Sequence, residues 1–316
     1  MASVEKTRSP RRSEGRRLHH PRVGSLVPYL YILPFFVLFV GFGLFPMIAT
    51  AYVSLTDWNL LDVGPGRWTG AANYERLLHD PYMWNAARNT ISLFVLSTVP
   101  QLCLALVIAQ LLDWAIRART LLSMGILLPY FTSVAAVTIV FSVLFSRDFG
   151  LVNHVLHLVG IGPVDWPAGR LTSHLTVAGM VNWRWTGFNA IIYFAAIQTI
   201  PRDLYEAAAI DGAGRWRQFQ HVTVPMLRLA IVFTAVLSTI GNLQLFTEPL
   251  LFSATQGTTT GGSGRQFQTI ALYLYEEGFR SFEFGYASAI AWTLVVLTAV
   301  AVLLSYLIVR RIRADE

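Results

Sequence analysis

Residues 205–225 read YEAAAIDGAGRWRQFQHVTVP and separate two long apolar runs. Just upstream, Pro201 suits a first helical position, where its missing N–H forfeits no bond. Asp203 then favours the positive end of the helix dipole. Leu204 to Ile210, with three successive alanines, is strong helix sequence, and Gly212 is placed to stop it in the left-handed region. Arg215 to His221 can form a second short helix before Pro225 leads into the next apolar run. The spacing therefore predicts a helical hairpin over 201–227 instead of a slack linker. On its first arm Glu206, Ala209 and Ile210 share a face, while Tyr205, Trp216 and Phe219 add aromatic surface. Such a hairpin either rests its apolar side on lipid or docks a cytoplasmic partner.

The flanking sequence is that of an all-α polytopic membrane protein. Of 316 residues, 54% are hydrophobic and only 13% charged, with a mean hydropathy of +0.50; soluble domains carry about 25% charged residues. Spans of about 20 mainly apolar residues are expected near 26–54, 90–112, 121–146, 176–200, 228–252 and 286–309. They leave a basic tail at 1–25, a six-helix domain at 26–309 and a short C-terminus at 310–316. The hairpin lies between the fourth and fifth spans. An even number of spans puts both termini on one side, which carries sixteen Lys and Arg against seven on the other, with Arg184 inside a span. The excess of positive charge places both termini and the hairpin in the cytoplasm. The first apolar run is too long for a signal-peptide core and reads as an uncleaved anchor.

Other classes are excluded or disfavoured. The basic tail beside a span reads as a topology or lipid signal, not as a nucleic-acid arm. Seven histidines and the single Cys103 show no metal spacing; Cys103 reads as apolar packing. The only lysine is Lys6, outside any glycine-rich loop, so no phosphate-binding P-loop is present. Pro34, Pro46, Pro100, Pro129 and Pro249 fall in or beside spans. Each removes a backbone bond or starts a break, a feature tolerated where helices pack together or line a wet cavity.

Glu206-Ala207-Ala208, Asp211-Gly212-Ala213, Phe219 and Pro225-Met226-Leu227 together resemble the EAA loop in the permease subunits of binding-protein-dependent ATP-binding-cassette (ABC) importers. The resemblance runs from about residue 28 to 309. It includes Asn73-Tyr74 with Asp80, Ile200-Pro201, Gly261-Gly262, and Tyr273-Leu274-Tyr275 followed by Gly278-Phe279, which favour the carbohydrate branch. It implies a MetI-like fold in which Glu206, Ala207, Ala208, Asp211, Gly212 and Ala213 form a coupling helix seated in a cleft of a separate ATPase. The implied partners are a second permease subunit, two ATPase subunits carrying the ATP and magnesium, and an extracytoplasmic sugar-binding protein. The implied location is the bacterial cell membrane. No cofactor and no catalysis are expected on this chain.

For the sugar path, ionisable and polar residues inside spans are the candidates. Arg184, with Trp185, Asn182 and Asn189, is either an interfacial arginine in an aromatic belt or part of a cluster facing the sugar. Asn242, Gln244 and Glu248, spaced to share one face or its edge, either bond neighbouring helices or line the path. The run 243–249, LQLFTEP, with Arg265-Gln266, looks most like permeases for cellobiose or related β-glucosides. The rival classes are an ion-coupled secondary transporter, which needs intramembrane coupling sites, and a non-transporting membrane scaffold. The 71–87 stretch reads as an interfacial helix.

Overall fold

The computed structural model describes residues 27–312 except 63, 65 and 115–118. The basic tail at 1–25, Arg117 and residues 313–316 lie outside the described residues. The described part divides into two compact units between Ala49 and Thr50.

In chain order the helices are α1 (Val27–Leu38), a π-helical stretch Phe39–Leu44, and α2 (Phe45–Val53), the last crossing the boundary between the units. There follow α3 (Ala72–His79), α4 (Pro81–Trp114), α5 (Arg119–Phe131), α6 (Val134–Leu144), α7 (Leu151–Leu158) and α8 (Arg170–Ile197). Then come α9 (Arg202–Ile210), α10 (Arg215–Gln218), a π turn Phe219–Thr223, α11 (Val224–Met226), α12 (Arg228–Leu243), α13 (Thr247–Ala254), α14 (Ile270–Phe279) and α15 (Phe284–Ile312). No strand occurs among the described residues, only one isolated bridge between Thr56 and Trp68.

The second unit is built inside out by the standards of a soluble protein. Along α4 the apolar stripe Ile91, Val95, Val99, Val107 and Leu111 is exposed, while Asn89, Thr90, Ser97, Thr98, Gln101 and Gln110 are buried. Cys103, read as apolar packing, lies on that exposed stripe, in which every fourth residue from 91 to 111 points outward. Water would reject such a face; hydrocarbon accepts it, and several of the buried polar groups bond neighbouring segments, Asn89 to the carbonyls of Arg265 and Gln268, and Thr98 and Gln101 to Asn242 of α12.

Four helical segments are long and apolar enough to cross a membrane: Tyr29–Val53, Pro81–Trp114, Arg228–Ala254 and Phe284–Leu307. A fifth appears if α5 and α6, bent by 95° at their junction, are taken as one span. The expected span at 176–200 falls on α8, whose 28 residues reach about 42 Å at 1.5 Å per residue. It has the length without the apolar composition, because it is the enclosed helix. Fourteen of its residues are buried, including Ser173, His174, Thr176, Thr186 and Asn189. Against it α5 packs backbone to backbone: a Cβ on Gly187 would stand 1.9 Å from the carbonyl oxygen of Ile126.

Two expected single spans are broken, the second where a proline removes a backbone donor. After Pro129 the chain leaves helical geometry at Thr132–Ser133, with Ser133 extended at ψ 135°. The 228–252 span separates into α12 and α13 at 244–246. Pro249 has no N–H for the carbonyl of Leu245, four residues back; the Thr269 hydroxyl donates to that oxygen instead, at 2.7 Å, while capping α14. Pro100 leaves α4 continuous, and its orphaned acceptor, the Leu96 carbonyl, takes a bond from Asn182 Nδ2 of α8 at 3.2 Å.

The 71–87 stretch is more than an interfacial helix. Although Leu78, Tyr82 and Trp84 are exposed, Leu77 and Met83 pack into a buried cluster with Ile270, Tyr273, Tyr286 and Ile290. Asn73 donates to the carbonyls of Ser54 and Thr56. Asp80 Oδ2 accepts from the hydroxyls of both Tyr273 and Tyr286. These residues bolt the starts of α4, α14 and α15 together.

Candidate functional site

The hairpin forms as its sequence requires. At the end of α9, Gly212 N–H donates to Ala209 O at 3.0 Å and Ala213 N–H to Ala208 O at 2.9 Å. Gly212 has φ +79°, and a Cβ there would meet nothing within 4 Å. Torsion, not crowding, selects glycine. The second arm differs from expectation. Instead of one helix over Arg215 to His221, α10 ends at Gln218 and widens into the π turn, which turns both Phe219 and Thr223 inward, where they are buried. That buried arm holds the other: the Tyr205 hydroxyl lies 3.0 Å from Thr223 Oγ1, and Gln218 Nε2 donates to Ala213 O at 2.9 Å. Glu206, Ala207, Ala209, Ile210, Asp211 and Gly212 are exposed, while Ala208 and Ala213 are half-buried. Ile210 is 87% exposed, a large apolar residue at the tip of a rigid element.

The second feature is a cavity of about 420 Å³ at the broken span, lined by side chains of α4, α8, α12, α13 and the 244–246 break, with Val134 of α6. Arg184, Trp185 and Asn189 of α8 line it together with Asn242, Gln244 and Glu248. Arg184 Nη1 donates to Glu248 Oε1 at 2.8 Å, and the two side chains are only 12% and 8% exposed. Beneath the pair, Asn242 Nδ2 donates to Thr98 Oγ1 and Gln101 Oε1, while Gln101 and Asn189 both donate to Ser238 Oγ. One wall is aromatic, formed by Trp185 and Phe188; behind it Tyr130 stacks on Phe188 with ring centres 4.7 Å apart and meets Trp185 edge-on at 5.2 Å. Gly241, Gln244 and Thr247, all exposed, mark the mouth.

Six of the seven path candidates thus converge, and Asn182 does not. It faces α4 and serves the carbonyl that Pro100 frees. Helical spacing did not bring Asn242, Gln244 and Glu248 together; the break between α12 and α13 did. Gln101, Phe188, Ser238 and Phe246 also line the cavity and were not singled out from sequence. Gln101, an amide immediately after a mid-span proline, carried a readable signal; Phe188 and Ser238 did not.

A helical membrane bundle enclosing a polar cavity at a proline break, with a stiff hairpin presented at its surface, defines a membrane-embedded transport subunit. Residues 101–314 match the family described as "Binding-protein-dependent transport system inner membrane component", and the chain belongs to that family. The lactose transport system permease protein LacF of Rhizobium radiobacter is 36% identical over 282 residues, covering 88% of this chain and 92% of that protein. The diacetylchitobiose uptake system permease protein DasB of Streptomyces coelicolor is 32% identical over 302 residues, covering 93% and 90%. Among solved structures, a chain of a bacterial ABC transporter involved in the import of the acidic polysaccharide alginate superposes with a TM-score of 0.76, covering 90% of this chain and 95% of that one. At 24% identity that likeness establishes the fold.

Proposed function

We propose that the chain forms half of the membrane pathway of an ATP-driven sugar importer. The substrate is a disaccharide or short oligosaccharide, as the named sugars of its relatives indicate, with cellobiose or another β-glucoside as the narrower reading of residues 243–249. A second, similar permease closes the open side of the cavity, and an extracytoplasmic binding protein delivers the sugar. Two ATPase subunits bind the cytoplasmic hairpin and carry the ATP and magnesium. Both termini lie in the cytoplasm.

The observation that carries this reading is the hairpin. A lever must be stiff internally, fixed at its base and bare at its tip. The cap at Gly212, the Tyr205–Thr223 bond and the exposed Glu206, Ala209 and Ile210 meet those conditions. Nucleotide can shift the permease between inward and outward states only by favouring one of them, and a slack tether would dissipate that preference. Glu248 is already bonded to Arg184, so it is not a free carboxylate for ion coupling. The test replaces residues 205–213 with a Gly/Ser segment of equal length and measures ATP-dependent, vanadate-sensitive lactose uptake by the reconstituted complex. Uptake should be lost with the chain still present in the membrane, and Gly212→Val should lower it while Gly212→Asn largely preserves it. Full uptake through the Gly/Ser variant would refute the lever.

A further inference from the structure

The charges around the cavity cancel. Its lining holds one cation, Arg184, and one anion, Glu248, bonded at 2.8 Å and largely buried; the other polar groups are amides and hydroxyls. We propose that Glu248 is a specificity residue that confines the pathway to uncharged sugars by occupying the charge of Arg184. The proposal rests on the cavity being the sugar path.

A guanidinium offers five N–H donors in a fixed fork, and an unpaired one buried in a membrane is costly. Without Glu248, Arg184 would present a bare charge to whatever enters, and a sugar carboxylate pairs with guanidinium in the favoured two-bond geometry. With Glu248 in place, an acidic sugar must displace one carboxylate while bringing another beside it, and like charges at that distance repel. A neutral sugar meets neither difficulty. The amides of Asn242 and Gln244 add donors and acceptors, and the rings of Trp185 and Phe188 suit the apolar faces of a pyranose. The fold does not decide the sign of the cargo, since the alginate importer of like fold carries an acidic polysaccharide. The decision therefore lies in side chains such as this pair.

The test compares two probes on the purified importer complex, this chain with its permease and ATPase partners, in lipid nanodiscs: lactose, which is uncharged, and digalacturonate, which carries carboxylates. Binding is read by equilibrium dialysis. The wild type should take up lactose and exclude digalacturonate. Glu248→Gln should raise digalacturonate affinity by about tenfold or more while changing lactose affinity far less, and Glu248→Asp should keep the wild-type preference. The double variant Arg184→Gln with Glu248→Gln should lose the gain, because no free cation remains. A pair that merely fastens α8 to α13 predicts weaker binding of both sugars and no gain for either. Lactose binding without a digalacturonate gain in Glu248→Gln overturns the charge filter alone. Absence of lactose binding to the wild type overturns the path reading and the filter with it.

Discussion

At the scale of single residues, Asn182 shows how one amide can be read two ways. From sequence it sits two positions from Arg184 and looks like part of a polar cluster; in the fold it satisfies the Leu96 carbonyl that Pro100 leaves without a donor. Sequence reveals the proline and the amide but not that they face one another across α4 and α8, since that depends on the rotation of two helices. Asn182→Leu should therefore lower thermal stability by about 1 kcal/mol, the usual worth of an interhelical bond in a membrane, and leave the choice of sugar unchanged. Thermal melts of the purified chain, paired with binding of lactose, check both halves. A shift in sugar preference would return Asn182 to the path.

At the scale of elements, the helices were legible and their interruptions only partly so. Apolar runs marked α4, α12 and α15, and the first arm of the hairpin with its Gly212 stop was legible because that cap is a local device, whereas the π turn of its second arm was not. The breaks were harder: Pro34, Pro100, Pro129 and Pro249 look alike in sequence, yet Pro100 leaves its helix intact whereas breaks follow Pro129 and accompany Pro249. What differs is whether neighbours support the bent or the straight form, and those neighbours are distant in sequence. The junction of α3 and α4 depends on such a distant partner. Burial alone would push the Asp80 carboxyl up, but donation by Tyr273, Tyr286 and the backbone N–H of Tyr82 and Met83 outweighs it, leaving the group below the ordinary carboxylate range. A depressed carboxyl stabilises the fold fully above its unfolded value, and that contribution disappears as pH falls through the folded value. Asp80→Asn should accordingly melt at a lower temperature than wild type by a margin that stays level from neutral pH down to about 5 and narrows below about 4. A margin that widens on acidification would contradict the assignment.

At the scale of the whole molecule, α8 sits at the centre of the second unit with Arg184 near its midpoint, and its countercharge on Glu248 lies 64 residues further along the chain. Synthesis runs from the N-terminus, so the ribosome delivers the arginine to the translocon well before the glutamate exists. An arginine at mid-helix disfavours insertion by about 2.5–3.5 kcal/mol, and the amides of this segment add little to oppose that. The segment should therefore enter lipid late, sheltered by earlier helices. Nascent chains halted shortly before Glu248 should show incomplete insertion of residues 170–197 by glycosylation mapping, and full-length chains released from the ribosome should recover it. Efficient insertion of the shorter chains would break this link between order of synthesis and order of assembly.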